Sequence, residues 1–268
     1  MNSANRKIAK IVLADLLFVF FLTLSGMLAE LSDFFYVAAF LFPALFLILT
    51  EKSKVRLAPT LRGADIPNFL VSAPLIIGGI ILFAFITASI LSLFGIKDNT
   101  ELAGDIFPII VNHALLPALL EELLFRYAPI RMLGDMKRGN VIILTSALFA
   151  LAHCDLLKLP YAFFAGIAFA YIDIVTESIL PSIILHFINN LISIFNIRCS
   201  DTVFPTVLYI SVATLSAISV VIILVKRAAF KEKILPVISD FELRRPNFSV
   251  LFFAVLAIAV ALLKIIGG

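Results

Sequence analysis

The sequence predicts an all-α protein: a polytopic bundle of transmembrane helices, about eight in a core and one more at the C-terminal end. Three observations point there. Of 268 residues, 62% are hydrophobic and 15% charged, and the mean hydropathy is +1.12, far above that of a water-soluble domain of this length. The apolar residues gather into nine blocks near the roughly 20 residues that a helix needs to cross a bilayer, whereas a barrel would show short alternating segments. Finally, the loops between blocks alternate between rich and poor in Lys and Arg.

The blocks follow in order. The first, 8–29, begins within the N-terminal MNSANRKIAK, with no small-residue cleavage site of the usual form, so it reads as a retained helix. Its Asp15 lies about one turn inside the boundary, where a carboxylate can snorkel or pair. The second block, 34–50, ends before Lys52, Lys54, Arg56 and Arg62, and the third covers 67–95. The fourth, 106–133, contains Pro108 and Pro117, tolerable where neighbours satisfy the freed carbonyls. Arg131, Lys137 and Arg138 follow it. The fifth is 140–157; the sixth and seventh, 160–176 and 178–197, carry Pro160 and Pro181 near their starts, where the missing N–H costs least. Asp173 and Glu177 mark the turn between them. The eighth block, 204–225, leads into Lys226, Arg227, Lys231, Lys233, Arg244 and Arg245, and the ninth is 249–266.

These basic clusters, with Arg6, Lys7 and Lys10, fall on one side of the membrane. The other side holds only Lys97, Lys158, Arg198 and Lys264, among Glu30, Asp33, Asp98 and Glu101. The positive-inside rule then makes the N-terminus cytoplasmic. Net charge is only +3 and the cations sit in short loops, so no basic face for nucleic acid is expected. Cys154 and Cys199 are too few for a disulfide framework. The whole of 1–268 reads as one integral membrane domain, with its polar motifs in a core of about 106–197.

Three short motifs break the apolar pattern. A charge at a helix centre costs about 2.5–3.5 kcal/mol on insertion scales, so such residues point to function. In EELLFR, Glu122 and Arg126 share a helical face and can pair, while Glu121 points to an adjacent face. In FALAH, Phe149 and His153 share a face. In HFINN, His186 and Asn190 lie one turn apart and can aim donors at a common spot. At about 1.5 Å per residue, Glu121 lies ~15 Å from Arg131, His186 ~12 Å from its helix start and His153 ~20 Å from Asn140, so the three motifs can meet at one depth. His113, two turns above Glu121, is better suited to packing or a vestibule. For each motif a plain interhelical ion pair or hydrogen bond is the competing explanation.

In order along successive segments, EExxxR, FxxxH and HxxxN resemble the signature of the CPBP family: CAAX prenyl endopeptidases and the bacteriocin-processing or immunity (Abi) proteins. The three motifs span about 70 residues, and the family's hydrophobic core would cover most of the chain. Tyr127 departs from the pattern, since many members have Gly after the Arg, and the ninth helix looks like an addition. The resemblance implies an intramembrane glutamic endopeptidase acting on a membrane-embedded or lipidated substrate, prenylated or not, from the cytoplasmic side. Glu121 and His153 would match the pair that activates water. His186 and Asn190 would match the oxyanion-stabilising pair, with Glu122, Arg126 and Phe149 in support. The chemistry is self-consistent, because peptide hydrolysis needs an activated water, a proton donor for the leaving amine and donors at the developing oxyanion.

Other readings stay open from the sequence. Glu121, His153 and His186 form a two-His, one-carboxylate set that suits catalytic zinc, although no HExxH pair is present and Asn190 would be a poor ligand, so no cofactor is expected. A Cys154 nucleophile is disfavoured, since one helical step turns it about 100° from His153. A proton-coupled transporter would use the same buried charges, but no inverted repeat is visible. A non-catalytic membrane immunity or scaffold protein would keep the fold and act by binding.

Overall fold

The computed structural model describes residues 3–50, 57–96, 100–228, 240–242 and 247–267. These form nine principal helices: α1 (Ser3–Met27), α2 (Ser32–Thr50), α3 (Ile66–Ser92), α4 (Ile106–Met132), α5 (Arg138–Ala152), α6 (Lys158–Thr176), α7 (Leu180–Arg198), α8 (Phe204–Val225) and α9 (Phe248–Gly267). Among the described residues no strand forms, only an isolated parallel bridge between Ala58 and Ser178. The chain is a helical membrane bundle, as its composition requires. Six helices are long and apolar enough to cross a bilayer, and the apolar parts of α2, α5 and α9 are shorter. The expected basic positions Lys52, Lys54, Arg56, Lys231, Lys233, Arg244 and Arg245, and Lys97 and Asp98 on the other side, lie outside the described residues.

Helices α1 and α2 pack along each other, α5 lies along α6, and α3 bridges α6 and α8. Helix α4 is held between α2 and α7, and α9 packs on α1 and α5. The larger core runs through α1, α2, α4, α5 and α9, including Phe18, Phe40, Leu124, Phe125 and Phe253. The outer faces of α3, α8 and α9 show large apolar side chains such as Phe85, Ile210 and Val255. In water that surface would be a liability; against lipid tails it costs nothing.

Helix α4 is not uniformly wound. Val111–Leu115 and Leu123–Tyr127 are π-helical turns, closed by Leu116 N–H to Val111 C=O and by Ala128 N–H to Leu123 C=O. Each turn comes directly before a proline-led segment, Pro117 and Pro129. A proline lacks the N–H that would bond to residue i−4, here His113 and Phe125, and its ring crowds that carbonyl. Widening the preceding turn relieves the crowding. The EE pair thus sits between two proline-linked distortions, which the block pattern did not reveal. His113 lies in the first and faces outward.

Helix α5 departs from expectation too. Block 140–157 was expected to be one helix, but α5 ends at Ala152, His153 is its C-cap and Cys154 takes a left-handed φ of 47°. The reversal is fixed by Asp155, whose Oδ1 accepts from Leu157 N–H at 2.9 Å and from Lys158 N–H at 3.3 Å, capping α6. The direction of Cys154 is therefore set by this turn and not by a helical step from His153.

The start of α5 is held by a distant part of the chain. Asp240 accepts from Arg138 N–H at 2.9 Å through Oδ2, and its carbonyl accepts from Gly139 N–H at 2.9 Å. Lys137 Nζ lies 3.0 Å from Asp240 Oδ1. Asn140 and Glu242 exchange two further bonds, 2.7 and 2.8 Å. Lys137, the residue before α5, makes no side-chain cap of its own. Asp240 satisfies the orphan N–H groups in its place. The Arg138 N–H, followed by Lys137, holds the Asp240 carboxyl below the usual carboxylate range.

Basic residues collect at one end of the bundle. Lys7 pairs with Asp135 at 2.7 Å, and Lys10 donates to Thr50 C=O at 3.1 Å at the end of α2. Arg62, Arg131 and Lys137 belong to the same end through the loops around them.

Candidate active site

The site is built by α4, α5, α6 and α7, and its centre is the ring of Phe149. Arg126 Cζ lies 3.8 Å from the ring centroid. The His153 ring meets Phe149 edge-on at 4.8 Å and the His186 ring at 6.1 Å. One aromatic side chain thus touches a residue from each of the three motifs. The sequence had predicted that they could share a depth.

Glu122 and Arg126 are both completely buried, with Nη1 and Oε1 3.3 Å apart. That is ion-pair distance, and none of the three Arg126 side-chain nitrogens makes a hydrogen bond. The same Glu122 oxygen is 2.8 Å from His186 Nδ1. Glu122 therefore does more than pair within its helix: it ties α4 to α7 through His186. Ion pairing of a buried guanidinium is supplemented by the Phe149 face and by Phe169, 5.8 Å away on α6.

Glu121 turns to an adjacent face, as expected, and remains 16% exposed. Its Oε2 is 3.8 Å from His186 Nε2, too long for a direct hydrogen bond and suited to an intervening water. His153 and, on α2, Tyr36 lie within electrostatic range of Glu121. The His153 Nδ1 is 2.8 Å from Phe149 C=O. A carbonyl only accepts, so Nδ1 carries the proton and Nε2 presents a lone pair. In His186, Nδ1–H likewise donates to Glu122. Asn190 is half-buried one turn along α7, and its Oδ1 accepts from the Asn189 amide at 3.4 Å.

Three contributors were not singled out from the sequence. Asp173, assigned no role there, is fully buried at the end of α6, and its Oδ1 accepts from Ser182 N–H at 3.2 Å. It lies in electrostatic range of Glu122 and Arg126. An intramembrane carboxylate was the available signal. Ser182 sits beside both carboxylates, with its hydroxyl donated to Ile179 C=O at 2.9 Å. Phe169 stacks on His186 at 5.5 Å; nothing in the sequence separates it from neighbouring lipid-facing aromatics. Asp15 is 1% exposed, buried in α1 rather than snorkelling to an interface.

Among the described residues, no group of three or more His, Cys, Asp or Glu side chains is gathered closely enough to hold a metal ion.

No curated protein and no solved structure matches this chain. Residues 103–192 match the family model described as type II CAAX prenyl endopeptidase Rce1-like. That stretch holds all three motifs and the side chains that touch the Phe149 ring, and the match supports a protease acting at a membrane. Over residues 103–192, about a third of the chain, the protein is therefore similar to the Rce1-like family of type II CAAX prenyl endopeptidases.

Proposed function

We propose that the protein is an intramembrane endopeptidase of glutamic type, which hydrolyses a peptide bond in a membrane-associated substrate, prenylated substrates included. The observation that carries this reading is the approach of Glu121 to His186 at 3.8 Å, from different helices and with a gap suited to water. Glu121 takes a proton from that water as it attacks the scissile carbonyl, and returns it to the leaving amine. His153 accepts from the same water through Nε2, the nitrogen left free by its bond to Phe149 C=O.

His186 and Asn190 face the developing oxyanion. Because Nδ1–H of His186 is committed to Glu122, His186 can donate from Nε2 only as the imidazolium, and an ionised Glu122 supplies its counter-charge. Arg126 in turn balances Glu122, and Phe149 holds the three groups in register. No cofactor is required by this scheme. The basic end of the bundle faces the cytoplasm under the positive-inside rule, with substrate and water entering from that side.

The test is cleavage of a quenched fluorescent prenylated peptide by purified protein, with Glu121→Gln as the control and with a strong chelator in a parallel arm. Cleavage lost in Glu121→Gln and retained on chelation supports a glutamate-activated water. Loss on chelation, restored by zinc, would assign the same residues to a metal centre. Cleavage retained in Glu121→Gln would overturn the assignment.

A further inference from the structure

A cavity of about 480 Å³ opens at the basic end of the bundle, away from the groups assigned to peptide hydrolysis. The α2–α3 loop contributes Thr60 and Arg62, α4 contributes Tyr127 and Arg131, and the α6–α7 turn contributes Thr176 and Glu177. We propose that this pocket binds a phosphate-bearing anion at the level of the lipid headgroups. The proposal does not depend on the peptidase reading, since no residue of that scheme lines the pocket.

The chemistry of the lining points to phosphate. Two guanidinium groups from separate elements present planar N–H forks, which match phosphate oxygens, and the Thr60 hydroxyl and Tyr127 phenol add neutral donors. Arg131 lies over the Tyr127 ring, with Cζ 4.7 Å from the centroid, so aromatic contact orients it. The volume exceeds what a bare phosphate ion needs and falls in the range of small-molecule sites, which leaves room for a headgroup. In sequence, residues 51–56 carry Lys52, Lys54 and Arg56 against one acid, Glu51. Polybasic sequence beside a membrane helix attracts anionic lipid.

Glu177 is an internal competitor for Arg62. Its Oε2 lies 3.2 Å from Arg62 Nη1, with side chains 65% and 58% exposed. Such an exposed pair contributes little and can be displaced by a ligand with more charge and more acceptors. Asp65, at 2.8 Å from Arg62 Nε, can stay in place during the exchange. Glu177 also holds a left-handed φ of 52° after the end of α6, a conformation that glycine adopts without penalty. A side chain kept in a strained position, with its carboxylate on the pocket arginine, fits a stand-in for the ligand's negative charge.

The test uses purified protein in neutral detergent, with dihexanoyl phosphatidylglycerol, dihexanoyl phosphatidylcholine and inorganic phosphate as probes in calorimetric titration. The glycerol lipid should bind wild type at least about tenfold more tightly than the choline lipid. Arg131→Gln should weaken that binding about tenfold or more, and Glu177→Gly should tighten it several-fold, since it removes the competing carboxylate. Glu177→Gly also puts the residue that favours this backbone at the strained position, so the arm survives even where Arg131→Gln folds poorly. Displacement of the lipid by millimolar inorganic phosphate, with the same variant pattern, would make free phosphate a ligand of the site; no displacement would assign it to the headgroup. Lipid binding unchanged in Arg131→Gln, or weakened in Glu177→Gly, would overturn the proposal.

Discussion

Replacing Arg126 by methionine would strike the buried centre of the site. Methionine occupies similar length without charge. It would leave the Glu122 carboxylate fully buried, with no guanidinium at 3.3 Å. Removing one partner of a buried pair costs about 3–5 kcal/mol, because the remaining charge is uncompensated. Loss of the desolvated contact with the Phe149 ring adds up to ~2 kcal/mol. His186, 2.8 Å from Glu122, offsets a part by remaining as a donor. A net destabilisation of about 3–5 kcal/mol is expected, a factor of ~100 or more in the folded-to-unfolded ratio. Reversible unfolding in bicelles would measure it. The double variant Arg126→Met with Glu122→Gln removes the stranded charge as well, so it should be more stable than the sum of the single losses by roughly 2–3 kcal/mol. A single-variant cost below about 1 kcal/mol, or additivity within ~0.5 kcal/mol, would refute the reasoning.

Three further outcomes are expected. A Cβ on Gly166 would meet Ser146 Cα and Cβ at 2.9 Å where α5 and α6 are in close contact, so Gly166→Ala should destabilise by about 1–3 kcal/mol and lower peptide cleavage; thermal unfolding and activity of one preparation would check both. Phe149→Leu keeps an apolar filler but loses the ring that touches Arg126, His153 and His186, so it should reduce cleavage more than stability, and a thermal shift without loss of turnover would count against a positioning role. The Asp240 carboxyl is held below its ordinary value by Arg138 N–H and Lys137, so its contribution is present above the unfolded carboxylate range near pH 4 and lost as pH falls through the folded value. Wild type and Asp240→Asn should therefore differ in stability at pH 7 and converge in acid; a constant difference across a pH series would contradict this.

Much of the fold was legible because each helix carries its own apolar run: the ends of α2, α6 and α8 fall where the block pattern put them. The gathering of EELLFR, FALAH and HFINN was also legible, since helical rise fixes the depth of each motif. Other features depend on interactions that a helical periodicity does not encode. The π-turns before Pro117 and Pro129 reflect local crowding, and the end of α5 at Ala152 depends on an Asp155 cap within an apolar stretch. That Glu122 bonds to His186 as well as facing Arg126 follows from how α4 and α7 pack. Asp173 was visible as a charge, but its Ser182 partner becomes apparent only when the α6–α7 turn is folded.

The capping of α5 by Asp240 has a consequence for the order of events during synthesis. Arg138 and the residue that satisfies its N–H are 102 positions apart. At about 5–20 residues per second, a ribosome takes roughly 5–20 s to cover that interval. Throughout it, the helix bearing Phe149 and His153 is already made but its leading turn has no cap from the C-terminal part of the chain. The nascent protein therefore holds Phe149 and His153 on an incompletely secured helix, and the lock arrives only after 102 further positions have been translated.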